Sequence, residues 1–394
     1  MKAKITIAAC LLLVAGQASL DLYLPSIPAM AQELGAAPYR VQLSIPFYLL
    51  AYAVVQPLVG PLADRFGRRP ILVITSLLSV LGSIGCALAG SVGSLLAFRL
   101  VQGIGAGSGS TLSRALLRDT FSGASLARRM SYLSIAWGGT PLIAPVVGGY
   151  LEELFGWRSS FWSLALLGFA SLLYFIFFVP ETQDRQSRAP LHPVAVWKKY
   201  RLICTHREFI GFALAFFFTY GLVATYATAS PLVLEEGFGL TPVSYGWSML
   251  LVGLGFIISS LVNSRLVDHF SISRIVRVAA LIAASGALLL LLTGLADRKE
   301  VWLFVALVLI IEMGVGAIFP NAMAGAMHPF PDHTASASAL VGTLAALGGA
   351  LFSLVIAELP SNSQVPLALL MLIQLTMIYL LIMRVAMPAK RRMN

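Results

Sequence analysis

Three ionisable side chains interrupt long apolar stretches of this 394-residue chain: Asp21 in the string SLDLYLP, Arg99 in FRLVQGIG and Glu312 in IIEMGVG. An ionised carboxylate at the centre of a membrane helix costs upward of ~2.5 kcal/mol, so each needs a partner, a proton or water. A carboxyl that passes between an apolar surrounding and a nearby cation can load a proton in the first and release it in the second. Asp21 lies toward the outer end of its apolar run and Arg99 just after the outer start of another, so matched depth makes Arg99 the expected cation. The pair then reads either as a proton-linked switch or as a fixed bridge between helices. Glu312 has no neighbouring cation in sequence, which suits proton transfer, recognition of a cationic ligand, or a neutral side chain hydrogen-bonded to a nearby helix.

Candidate ligand contacts gather around these groups. Gln17 is one turn from Asp21, Gln102 follows Arg99 by three residues, Tyr48, Tyr52 and Gln56 share a face at spacings of four, and Phe217, Tyr220 and Tyr226 fall in one apolar run. A mostly apolar cavity with such anchors takes amphipathic or cationic molecules through burial and cation–π contact; simple packing is the commoner role of such aromatics. In GPLADRFGRRP, Gly60 to Pro70, Gly60 and Gly67 let the chain reverse tightly, while Arg65, Arg68 and Arg69 gather positive charge. Asp64 is expected to pair with Arg118, or with a helix N-terminus of the other half, as a latch; the alternative is a charge cluster that only sets topology. Further on, GGTPLIAPVVGG, residues 138–149, holds four glycines and two prolines. Pro141, Pro145, Gly148 and Gly149 are the expected hinge, with close approach to a neighbouring helix.

The elements that must position these groups follow from composition. With 58% hydrophobic and 11% charged residues, against about 25% charged in soluble domains, the chain is not an ordinary soluble enzyme. Twelve apolar runs of membrane-spanning length are predicted at 5–28, 41–63, 70–90, 94–116, 130–151, 160–179, 208–232, 243–264, 275–295, 301–323, 335–357 and 365–386. The formal charge of +10 is topology rather than an affinity for nucleic acid. With the N-terminus inside, only Arg40, Arg158, Arg298 and Lys299 fall outside and Arg99 within a span; the remaining basic residues, Arg185, Arg188 and Arg392 among them, are cytoplasmic, as are both termini. Lys2, Lys4 and the string Ala15-Gly16-Gln17-Ala18 have the outline of a signal peptide, but removing that run would leave an odd number of spans. Cys10, Cys86 and Cys204 have no metal-ligand spacing. The polar stretch 181–207 divides the chain into six-span halves, 1–180 and 208–394. Such halves place a site at the membrane midplane and rock about it.

These motifs resemble the major facilitator superfamily, along nearly the whole chain, and within it the Bcr/CflA subgroup of the drug:proton antiporter branch. GPLADRFGRRP is similar to the superfamily's signature between spans two and three. The string from Arg99 to Gly105 resembles the span-four motif whose buried arginine the family associates with proton coupling. Pro141 to Gly149 resembles the span-five motif of antiporters, and Asp21 with Pro25 the span-one motif of the subgroup. Phe319 to Gly342 is similar to a multidrug-resistance member of the subgroup; the family usually has Ala-Gly where this chain has His333-Thr334. The resemblance implies an all-α membrane protein of twelve helices in two six-helix bundles, a monomer in a bacterial inner membrane. It implies export of structurally varied toxic compounds in exchange for protons, without ATP; the residues themselves make Asp21, Arg99 and Glu312 the expected proton-coupling groups and an amphipathic or cationic compound the expected cargo, with no cofactor or metal. The sequence has no GxxxxGK[ST] and no HExxH. Rival readings are an exporter of a sugar or amino acid on the same fold and a membrane receptor that does not transport.

Overall fold

The computed structural model describes residues 2–183, 193–330, 334–360 and 363–391; Arg185, Arg188, His333 and Arg392 lie outside them. The chain divides into two compact units, Met1–Pro193 and Val194–Asn394. Every described regular element is helical.

The first unit holds α1 (Lys2–Asp21), α2 (Ile27–Glu33), α3 (Pro38–Gln42), α4 (Ser44–Phe66), α5 (Arg68–Ala87), α6 (Val92–Ala106), α7 (Gly109–Thr120), α8 (Gly123–Phe155) and α9 (Arg158–Phe178). The second holds α10 (Pro193–Cys204), α11 (Arg207–Pro231), α12 (Pro242–Leu266), α13 (Ile272–Leu295), α14 (Val301–Met327), α15 (Thr334–Ala357) and α16 (Val365–Arg391). Helix starts follow local chemistry. Ser91 and Ser94 form a reciprocal capping box at α6, and Thr241 accepts from the Ser244 amide at α12, where Pro242 occupies the first turn.

Among the described residues, eleven helical stretches are long and apolar enough to cross a membrane. The twelfth expected span, 94–116, is shared by α6 and α7. The chain keeps right-handed helical dihedrals through Gly107 and Ser108, and the Ser108 hydroxyl bonds Gly105 O and Thr75 Oγ1 of α5. The first span also differs from expectation. α1 ends at Asp21, a 3₁₀ turn runs over Leu24–Ser26, and α2 continues to Glu33.

Packing explains why the helices are apolar nearly all round. In the first unit Ile5, Ala8, Ala9 and Leu12 of α1 meet Val59 and Ala63 of α4, Leu112 and Leu116 of α7 and Phe175 of α9 in one buried cluster. The outward faces carry Leu58, Ile74, Leu166, Phe177, Leu261 and Leu295, all exposed. In water such faces would be a liability; in lipid they are the required surface.

Candidate functional site

Asp21 is buried at the C-terminal end of α1, where its carboxylate Oδ2 accepts from Gln17 Nε2 at 2.9 Å. Arg99 is wholly buried in α6. The expected ion pair between them is not made: among the described residues Arg99 forms no salt bridge. Instead it donates Nη1 to Ser19 O at 2.8 Å and to Gln102 Oε1 at 2.5 Å, Nε to Ser44 O at 3.2 Å and Nη2 to the Tyr23 hydroxyl at 3.3 Å. Its guanidinium carbon lies 4.6 Å and 4.4 Å from the ring centroids of Tyr23 and Tyr48.

The physical reason is the end of α1. The last carbonyls of a helix have no amide to accept from and form the negative end of its dipole. Ser19 O is one of them, and a planar fork of five donors reaches it together with side chains on either side. Arg99 therefore ties α1, α4 and α6 together through neutral acceptors, which leaves Asp21 to Gln17. Tyr48 and Gln102, expected to face a ligand, are fully buried within this network. Tyr48 donates to Gly16 O at 2.7 Å, and Gln102 donates to Ser83 Oγ at 2.8 Å. Tyr52 is half-buried and stacks on Tyr48, while Gln56 donates to Ser110 Oγ at 3.2 Å. Tyr23, Ser19 and Ser44 are the members of this centre that spacing did not point to.

The stretch Gly60 to Pro70, expected as a loop, is helical on both sides of Gly67 and is held differently from expectation. Asp64 pairs with Arg68 at 2.8 Å rather than with Arg118, and Arg68 Nε continues to Asp119 at 3.2 Å. Arg118 is exposed on α7, and Arg65 lies over the Phe66 ring. Gly67, at φ 101°, makes the turn between α4 and α5, a conformation that a side chain disfavours. Glu181, just past the end of α9, then accepts from the first amides of α5: Arg68 N at 2.9 Å and Arg69 N at 3.3 Å. A carboxylate at a helix N-terminus stabilises it by about 0.3–1 kcal/mol when exposed and up to ~2 when partly buried. Glu181→Ala is accordingly expected to destabilise the first unit by ~1 kcal/mol, measured as chemical unfolding in detergent; an unchanged midpoint would refute the cap.

In α8, Pro141 and Pro145 lie within a helix that remains continuous from Gly123 to Phe155. Of its glycines, Gly138 and Gly139 have open space around them, whereas a side chain on Gly148 would collide with the Leu22 carbonyl oxygen, one residue from Asp21.

In the second unit Glu312 is buried in α14 and makes no hydrogen bond or ion pair among the described residues. The Tyr226 phenol of α11 is likewise buried and has no hydrogen-bond partner among the described residues. Phe217 packs against Phe218 and Phe352, and Tyr220 is half-buried. Spacing did not mark the buried Asn321, whose Nδ2 donates to Asn263 Oδ1 at 2.6 Å between α14 and α12.

The sequence pattern of the Major Facilitator Superfamily matches residues 8–353. The chain belongs to the Major Facilitator Superfamily. It is thus a multi-pass membrane transporter and not an enzyme. A bicyclomycin resistance protein homolog of Haemophilus influenzae is 29% identical over 88% of this chain and 87% of its own length. The multidrug resistance protein D of Escherichia coli is 28% identical over 98% and 95%. Among solved structures, a D-xylose-proton symporter superposes with a TM-score of 0.80 over 95% of this chain and 97% of that one, at 16% identity, a likeness of fold. Within this Major Facilitator Superfamily protein, then, the buried charged residues among those described are Asp21 and Arg99 in the first unit and Glu312 in the second.

Proposed function

We propose that the protein is a proton-driven multidrug exporter of a bacterial cytoplasmic membrane, with both termini inside. It takes amphipathic or cationic toxic compounds outward by alternating access. The observation that carries this reading is Asp21: buried, bonded to the neutral Gln17, and free of any ion pair among the described residues. Its carboxyl takes up and gives back a proton without a salt bridge having to open, and the Gln17 amide serves either form. Arg99 is the positioning residue for the end of α1, not the counter-ion. The printed names of the relatives, resistance proteins for bicyclomycin and for multiple drugs, support the cargo. Each proton carried inward across 100 mV contributes ~2.3 kcal/mol to the export. Glu312 is the second group able to carry a proton or meet a cation.

The test is purified protein in liposomes with an internal pH dye, challenged with cationic and neutral drugs, beside Asp21→Asn. Drug-evoked proton movement is expected in the wild type and is expected to be lost in the variant while drug binding persists. Coupled flux that persists undiminished in Asp21→Asn would remove Asp21 from the coupling. Absence of any flux would turn the reading toward a receptor.

A further inference from the structure

Helices α11 and α14 pack in an antiparallel register marked by three pairs. The Phe212 ring lies over Gly325, the rings of Phe216 and Phe319 are 4.6 Å apart, and helical spacing brings Tyr226, fourteen residues beyond Phe212, to the level and face of Glu312, seven residues before Phe319. The first two pairs are apolar, as a lipid-embedded interface requires. The third brings two polar groups to one level, Tyr226 at 3% and Glu312 at 6% exposure; the Tyr226 hydroxyl is buried without a hydrogen bond, and Glu312 makes none among the described residues. Native interiors rarely leave buried polar groups unpaired, and a ligand donor group placed between these two would serve both.

Lysine, arginine and histidine do not supply it, since no ion pair to Glu312 exists among the described residues. Around it α14 turns small residues to its other neighbours: Gly314 meets Ala279 and Ala283 of α13, and Gly316 meets the Phe256 backbone of α12. We infer that Glu312 and Tyr226 form a two-acceptor seat for a protonated amine that carries N–H donors. One N–H meets the carboxylate and a second meets the phenol oxygen. A quaternary ammonium brings the same charge but no donor, so it leaves both oxygens unbonded. The seat therefore distinguishes cations by their hydrogens.

This deepens the exporter reading by naming the group of the cargo that is recognised, and rests on that reading only for the direction of transport. The test is calorimetric binding of 4-phenylbutylammonium and its N,N,N-trimethyl analogue to the purified full-length protein, with no pH gradient. The two probes differ in hydration, so the informative quantity is their affinity ratio in the wild type against that in Tyr226→Phe, where the difference cancels. Loss of one hydrogen bond to a charged donor is expected to lower the primary-over-quaternary ratio about tenfold. Glu312→Gln is expected to weaken both cations, whereas Glu312→Asp, which keeps the charge should the amide variant fail to fold, is expected to retain them. A ratio equal in wild type and Tyr226→Phe, or cation binding unaffected by Glu312→Gln, overturns the seat. Because binding is read at equilibrium, that failure leaves the antiport through Asp21 standing, and loss of antiport leaves the seat standing.

Discussion

Arg99→Ala is expected to cost roughly 3 kcal/mol of stability, summed from three donated hydrogen bonds to other segments at about 0.6 kcal/mol each and two aromatic faces at about 0.5–1 kcal/mol each. The bonds to Ser19 O, Ser44 O and Tyr23 reach α1, α4 and the turn after α1. Gln102 Oε1 loses its donor as well. Arg99→Lys is expected to recover less than half, because an ammonium has neither the planar fork nor the flat face that lies over Tyr23 and Tyr48. Reversible unfolding in detergent measures both. The same experiment decides whether Asp21 contributes to this centre. Groups that make no direct bond add within about 0.3–0.5 kcal/mol, so Asp21→Asn combined with Arg99→Ala is expected to be additive. A coupling well above that range would restore the ion pair.

The second large effect is expected at Gly148. A methyl group there would overlap the Leu22 carbonyl oxygen and press on the Pro25 ring. Gly148→Ala is expected to push α8 from the end of α1, to cost 1–3 kcal/mol as overpacking does, and to reduce drug-evoked proton movement by displacing Asp21. Gly138→Ala and Gly139→Ala are the contrast. Nothing lies near either position, and alanine in a helix is about 1 kcal/mol better than glycine, so both are expected to be neutral or stabilising. Equal effects at Gly138 and Gly148 would show that backbone freedom, not close approach, is what the glycines provide.

Residue types gave away the spans, the scarcity of buried charge and the crowding of glycine in α8, because lipid leaves few alternatives for a run of apolar residues. What they hid lies in the backbone. Arg99 is anchored by Ser19 O and Ser44 O, and a carbonyl is present at every position, so no spacing marks the two that matter. Asp21 and Arg99 were matched by depth, but depth does not include the direction in which α1 ends. The bond from Asp64 to Arg68 is an i,i+4 pair across the Gly67 turn, obscured because the helix breaks between them. Glu181 caps α5 from more than a hundred residues away, beyond any local pattern. In α6 and α7 the run of small residues reads as one helix, and the chain keeps helical dihedrals through Gly107 and Ser108 where the two meet.

The division of the two buried carboxylates, Asp21 in one unit and Glu312 in the other, has an electrical consequence for the proposed exporter. When a monovalent amine leaves from Glu312 and one proton returns through Asp21, the exchange is silent to voltage. A neutral compound exported against the same proton carries one net positive charge inward, and the membrane potential adds ~2.3 kcal/mol per 100 mV to its export. The current recorded across the membrane thus depends on the cargo, and a single transporter is driven by acidity alone for one class of compound and by acidity and voltage together for another.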